Sequence, residues 1–102
     1  MYYIALRRRV VPQEQRTVSL DTHLHWMQQV HNEGKILLSG PSPDRSLGIY
    51  LVKAASREEA ENTAGGDPYT VAGETTFELI EWDIHQALGI GPFTAGGLRA
   101  NS

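Results

Sequence analysis

The sequence predicts an α+β fold of the ferredoxin-like kind, βαββαβ, with a four-stranded antiparallel sheet and two helices on one face. Apolar residues follow strand, helix, strand, strand, helix and strand periods in turn between residues 2 and 84. The breaks between these runs carry turn and cap residues, among them "PSPDRS" and Gly65-Gly66. Two copies of one strand–helix–strand unit in a chain of 102 residues make a single domain of this layered type.

"YYIALRRRVV" (2–11) is rich in aromatic and β-branched residues and stops at Pro12, which cannot donate a ladder hydrogen bond, so it forms the first strand. From about Thr17 to Glu33 the residues Leu20, Leu24, Met27 and Val30 recur at three- and four-residue steps, and Gly34 follows where a helix takes a left-handed cap. "KILLSG" (35–40) and "LGIYLVKA" (47–54) read as strands two and three. "SREE" is a capping box, with Ser56 covering a backbone N–H and Glu59 reaching back, and it opens a short helix ending at Gly65-Gly66. In "DPY", Asp67 suits an N-cap and Pro68 the first helical position, and "TTFELIEWDI" (75–84) is the fourth strand. Residues 1–85 thus form the domain. Residues 86–102 form a Gly- and Ala-rich tail, partly mobile, in which only Pro92-Phe93 is expected to dock.

A sheet with one wet face alternates apolar and polar residues, yet Ile36, Leu37 and Leu38 run consecutively, as do Ile49, Tyr50, Leu51 and Val52. Both faces are therefore expected to be buried. A second copy of the chain is the simplest cover, which predicts a homodimer with sheets face to face and small cavities inside a barrel-like interface.

Composition narrows the function classes. A formal net charge of -3 provides no cationic surface for a nucleic-acid backbone. The absence of cysteine removes disulfides, thiolate metal sites and a cysteine nucleophile, and fits a cytoplasmic protein. In "MYYIALRRRV" the charges follow the apolar residues, unlike a secretory signal, and no run approaches bilayer-spanning length. Neither nucleic acid nor membrane is expected as a partner.

"HLHWMQQVH" (23–31) holds three of the four histidines. At roughly 100° per helical residue His23 and His25 lie about 200° apart, and about 12 Å of rise separates His23 from His31, so no two share a metal ion. With Leu20 at zero, the apolar stripe runs from about +40° to −120° and His23 falls inside it near −60°. His25, near 140°, faces water; His31, near +20°, is in the last turn, where an imidazole suits the free carbonyls. His23 has no helix end to satisfy it. It either bonds a main-chain carbonyl as a core histidine or meets a partner beside a cavity.

"HLHWM", "GKILLSGP", "ASREEAE" and "GDPYTVAG", in this order and spacing, resemble the YCII-related (YciI-like) family of small dimeric α+β barrel proteins over roughly residues 2–84. The resemblance implies that His23 pairs with Asp67 of the "DP" turn as an active-site dyad. It also implies lyase- or isomerase-like steps on small, often cyclic compounds, as in related barrels such as the muconolactone isomerases.

A carboxylate beside an imidazole orients the ring and favours its protonated form, which suits a group that takes and returns a proton without metal or cofactor. Asp67 would also serve as an N-cap, one oxygen accepting a backbone N–H while the other meets His23. Strand alternation places Arg7 and Arg9 with Tyr3 and Ala5, opposite Arg8. If that face is the interface, Arg7 would hold a carboxylate or phenolate in a bidentate contact; otherwise the arginines are a solvated strand end. Ser39 would offer a hydroxyl to the same cavity, and Tyr69 or Trp82 would wall it. "SGPSP" lacks the ending and glycine spacing of a phosphate loop, so no cofactor site is expected. The expected function is a cofactor-independent lyase or isomerase acting on a small anionic or cyclic molecule; the alternative is a non-catalytic metabolite-binding or accessory dimer.

Overall fold

A computed structural model describes residues 1–87. Its strands are β1 (Tyr2–Arg9), β2 (Ile36–Pro41), β3 (Leu47–Lys53) and β4 (Thr75–Glu81). Its helices are α1 (Leu20–Asn32), α2 (Arg57–Gly65) and the one-turn α3 (Pro68–Val71), and a short 3-10 turn at Gln13–Gln15 precedes α1. The strands pair in the order β2-β3-β1-β4, each neighbour antiparallel, which is the predicted ferredoxin-like arrangement. The expectations for the tail, including Pro92-Phe93, fall outside the described residues.

Register decides what each face carries. Tyr3 lies opposite Val52, Ala5 opposite Tyr50 and Arg7 opposite Gly48, so these residues share the face beneath the helices. There Tyr3, Ala5, Ile36, Tyr50 and Val52 pack against Met27 and Val30 of α1 and Ala60 and Ala64 of α2. The small alanines let α2 sit close to the sheet. The other face presents Leu38, Ile49 and Ile80, which are exposed. The face holding Arg7 is therefore the covered one, and the open face is the other.

The run Ile36-Leu37-Leu38 has a local cause. The pairing of β2 with β3 shifts between Ile36 and Leu38, so Leu37 is the extra residue of a β-bulge. Ile36 points into the core, whereas Leu37 and Leu38 are exposed. The consecutive apolar residues thus reflect a bulge as well as an apolar outer face.

Helix α1 starts at Ser19, whose Oγ accepts the Thr22 backbone N–H at 3.1 Å. It ends with Gly34 at φ 73°, while Lys35 N–H reaches Val30 O and Gly34 N–H reaches His31 O, each at 3.0 Å. These backbone bonds take the carbonyls that His31 was expected to cap. Its Nε2 instead lies 2.8 Å from Ser39 Oγ on β2. The buried residues of α1 are His23, Met27 and Val30, while Leu20 and Leu24 are 60% and 50% exposed. The buried stripe is therefore turned toward His23, and the two leucines border a cleft.

Candidate active site

The cleft is built where the one-turn α3 meets the inner face of β1 and β3. Asp67 caps α3: its Oδ1 accepts the Tyr69 backbone N–H at 3.0 Å, with Pro68 in the first helical position, where a missing N–H costs nothing. This cap is fully buried, at 0% exposure. A carboxylate so placed needs compensation on both oxygens. Oδ1 also meets His23 Nδ1 at 3.1 Å. Oδ2 accepts from Arg7 Nη1 at 2.8 Å and from the Tyr50 hydroxyl at 2.7 Å. The cap and the histidine contact thus share one oxygen, and the second is taken by the arginine and the tyrosine.

Electrostatics follow from that shell. Burial alone would push the Asp67 carboxyl up, but bonds from His23, Tyr50 and Arg7 outweigh it and bring the carboxyl down to about 2. Burial, reinforced by the Asp67 charge, pushes the Tyr50 phenol up, so it stays a donor. An ionised Asp67 can only accept, so His23 Nδ1 carries the proton toward it, and in the neutral ring Nε2 is then the nitrogen with the lone pair. Arg7 Nη1 is 3.4 Å from Nδ1 and 3.5 Å from Nε2, a cation beside the ring rather than an aligned donor to either nitrogen. Tyr69 stacks on the imidazole at 4.8 Å between centroids and restricts its rotation.

His23 lines a cavity of about 380 Å³ whose wall includes Leu20, Leu24, Met27, Tyr50 and Tyr69. An adjoining space of about 500 Å³ shares Arg7, Arg9, Arg16, Arg45 and Tyr69 with it, so these arginines border both. Apolar wall, titratable group and cations thus converge on one concavity.

The sequence model of the YCII-related domain matches residues 1–83. The chain belongs to the YCII-related family. One relative in the family's sequence neighbourhood is the uncharacterized protein YjpA of Bacillus subtilis (strain 168), 27% identical over 62 residues, or 61% of this chain and 73% of YjpA. The fold is similar to that of 5-chloro-2-hydroxyhydroquinone dehydrochlorinase (TftG) from Burkholderia phenoliruptrix AC1100, solved in complex with 2,5-dihydroxybenzoquinone. The TM-score is 0.65 at 21% identity, over 81% of this chain and 94% of TftG.

Within this YCII-related chain, His23, Asp67, Arg7 and Tyr69 come together. Arg7 commits Nη1 to Asp67 and Tyr50 and also borders the His23 cavity. Ser39 lines the His23 cavity, although its hydroxyl is engaged by His31. Trp82 lies past the end of β4 and lines a shallow depression of the outer face with Ile4, Leu38 and Leu51. It is not among the residues lining the His23 cavity. Two contributors escaped the sequence reading. Tyr50 looked like a core aromatic, and only the β1–β3 register shows its hydroxyl meeting Asp67. A Cβ on Gly48 would come within 2.9 Å of Arg7 Nη2, so the glycine gives the guanidinium room to lie flat. A glycine inside a strand is the signal that marks such an approach.

Proposed function

We propose that the chain is a cofactor-independent enzyme in which His23, oriented by Asp67, moves a proton on a small, anionic or cyclic organic molecule with a lyase- or isomerase-like outcome. The observation that carries this reading is the 3.1 Å contact between His23 Nδ1 and Asp67 Oδ1, made by a ring that lines a cavity. With Nδ1 tied to a carboxylate, Nε2 takes a proton from the ligand. In an elimination the C–H electron pair forms the new double bond and the leaving group departs with its own pair; in an isomerisation His23 returns the proton to another atom. Neither step requires a metal or cofactor. The dehydrochlorinase activity named for TftG lends support, because loss of hydrogen chloride is such an elimination.

The working unit we propose is a homodimer covering the outer face of the sheet. The test of the chemistry follows deuterium exchange or turnover with a panel of small cyclic acids and hydroxylated rings, using the unaltered chain and His23→Ala. The expected outcome is that the variant loses about 10²-fold or more, the scale of general acid–base catalysis. Equal behaviour of the two proteins removes the assignment. A binding module without turnover is the second reading, and the four donors around Asp67 favour it, since they satisfy the buried carboxylate without any chemistry.

A further inference from the structure

We propose that the outer chamber of the cleft is an oxyanion site, in which Arg16 and Arg45, assisted by Arg9, hold the anionic head of a ligand. The ligand's flat apolar body would then extend along Leu20 and Leu24 toward His23. The substrate class is thus a ring bearing a carboxylate or a phosphate, two groups that offer the same oxyanion chemistry. The fate of the ligand rests on the acid–base reading above, but its capture does not.

Arg7 is committed through Nη1, which meets Asp67 and Tyr50 at 2.8 and 2.7 Å, so the anion falls first to the arginines beyond it. Arg9 follows it on the same face of β1, Arg16 lies in the segment before α1, and Arg45 is in the β2–β3 turn; all border the space of about 500 Å³. Among the described residues, Arg9 and Arg45 have no ion pair, and Arg16 donates to the Tyr69 hydroxyl at 3.0 Å. Two acids, Asp44 and Glu74, border the same space, and each has one oxygen engaged by neighbouring donors, while Glu74 Oε1 is buried without a hydrogen-bond partner among the described residues. Asp44 Oδ1 accepts from Ser42 Oγ and from both N and Oγ of Ser46. Glu74 Oε2 accepts from Thr17 N, Thr17 Oγ1 and Val18 N. In a chain of net charge -3, Arg9, Arg16 and Arg45 outnumber the two carboxylates on this concavity, Asp44 and Glu74, so its lining stays cationic and attracts an anion.

Of the two clamp arms, Arg16 has its guanidinium held by Tyr69, whereas Arg45 is fixed at its backbone, whose N–H donates to Ser42 O at 2.9 Å. Arg45 has φ 66°, a left-handed conformation that a non-glycine residue adopts at a cost. The Arg16 guanidinium sits 5.0 Å over the Tyr69 ring, and Glu74 ties down the adjoining Thr17 and Val18. Tyr69 touches Arg16 on one side and His23 on the other, so it joins the clamp to the inner chamber.

Calorimetric titration of the full chain with benzoate, phenyl phosphate and neutral phenol tests this. The expected result is that one or both anions bind about tenfold or more tightly than phenol, an advantage that shrinks with added salt. Whichever anion is preferred identifies a carboxylate or a phosphate ligand. Arg16→Ala and Arg45→Gly should each weaken anion binding about tenfold while leaving phenol unchanged; glycine accepts the φ of residue 45, so that variant folds. Wild-type anion affinity in both variants overturns the proposal, as does equal binding of phenol, or no binding of either anion. His23→Gln separates the two readings. Anion affinity retained in this variant, with no turnover by either protein, leaves the clamp standing and removes the acid–base role.

Discussion

Gly48 and Asp67 show how single residues set the site. Because a Cβ on Gly48 would press on the Arg7 guanidinium, Gly48→Ala should pull Arg7 from Asp67 and leave a buried carboxylate short of one charged donor. Denaturant unfolding should report a loss of about 1–3 kcal/mol. Gly40→Ala is the control, since nothing lies within 4 Å of its Cβ; equal stability of the two variants would mean that Arg7 shifts freely. Asp67 makes stability depend on acid. Its carboxyl lies at about 2 in the folded chain against an ordinary value of 3.8, so its contribution is complete above pH 4 or so. As pH falls toward 2 the unfolded chain takes up the proton first, and about 2 kcal/mol is lost. Asp44 is also lowered to about 2, chiefly by the Ser46 backbone N–H. Glu33 and Glu74 are lowered as well, so the Asp67 share is measured in a background carrying Asp44→Asn, Glu33→Gln and Glu74→Gln, where a flat acid limb would contradict it. His23 and Asp67 stand out in the sequence as a histidine inside an apolar stripe and an aspartate before proline. Tyr50 and Gly48 do not, because their roles come from a strand register that only the folded chain displays.

Local signals specify the elements, and long-range packing adjusts them. Caps at Ser56, Asp67 and Gly34 stand at the helix ends the sequence suggests, since each acts within one turn of its own position, whereas the α1 cap falls at Ser19 and not at the expected start near Thr17. At Ser56 the box is skewed: Oγ accepts Glu59 N–H at 3.1 Å, but Glu59 Oε2 returns to Ala55 N–H at 3.3 Å instead of to the cap residue. Ser56→Ala should therefore lower stability by about 1 kcal/mol, whereas Glu59→Ala should cost only a few tenths, its contact being long and exposed. Thermal unfolding of the two variants gives the ranking, and an equal loss would mean that the return contact matters as much as the cap. The β2 bulge was not legible, because a run of three apolar residues reads equally as a strand buried on both faces. The true stripe of α1 was hidden likewise: Leu20 and Leu24 count as core in any periodicity, yet they line the mouth of the His23 cavity.

At the scale of the whole molecule, the outer face of the sheet is an apolar surface left uncovered by the described residues. Leu38 and Ile80 are 68% and 49% exposed there, and Ile49 and Leu51 of β3 flank Ile4 and Leu6 of β1 across the middle of the same face. Leaving such a contiguous apolar surface in water is unfavourable by about 25 cal/mol per Å², and a two-fold partner buries the same patch on both copies at once. Gly40 and Pro41 of β2 border both this face and the His23 cavity, so a partner seated on β2 would also stiffen one wall of the site. Sedimentation should therefore give a species of twice the 11.3 kDa chain mass. Leu38→Lys combined with Ile80→Lys should yield the single-chain mass at unchanged helix content, because both side chains are already exposed and their replacement disturbs no core. A monomeric unaltered chain, or a double variant that still sediments as a pair, would place the partner elsewhere. If the pair does form through this face, anion binding in the double variant should also weaken, since the β2 wall of the cleft then loses the copy packed behind it.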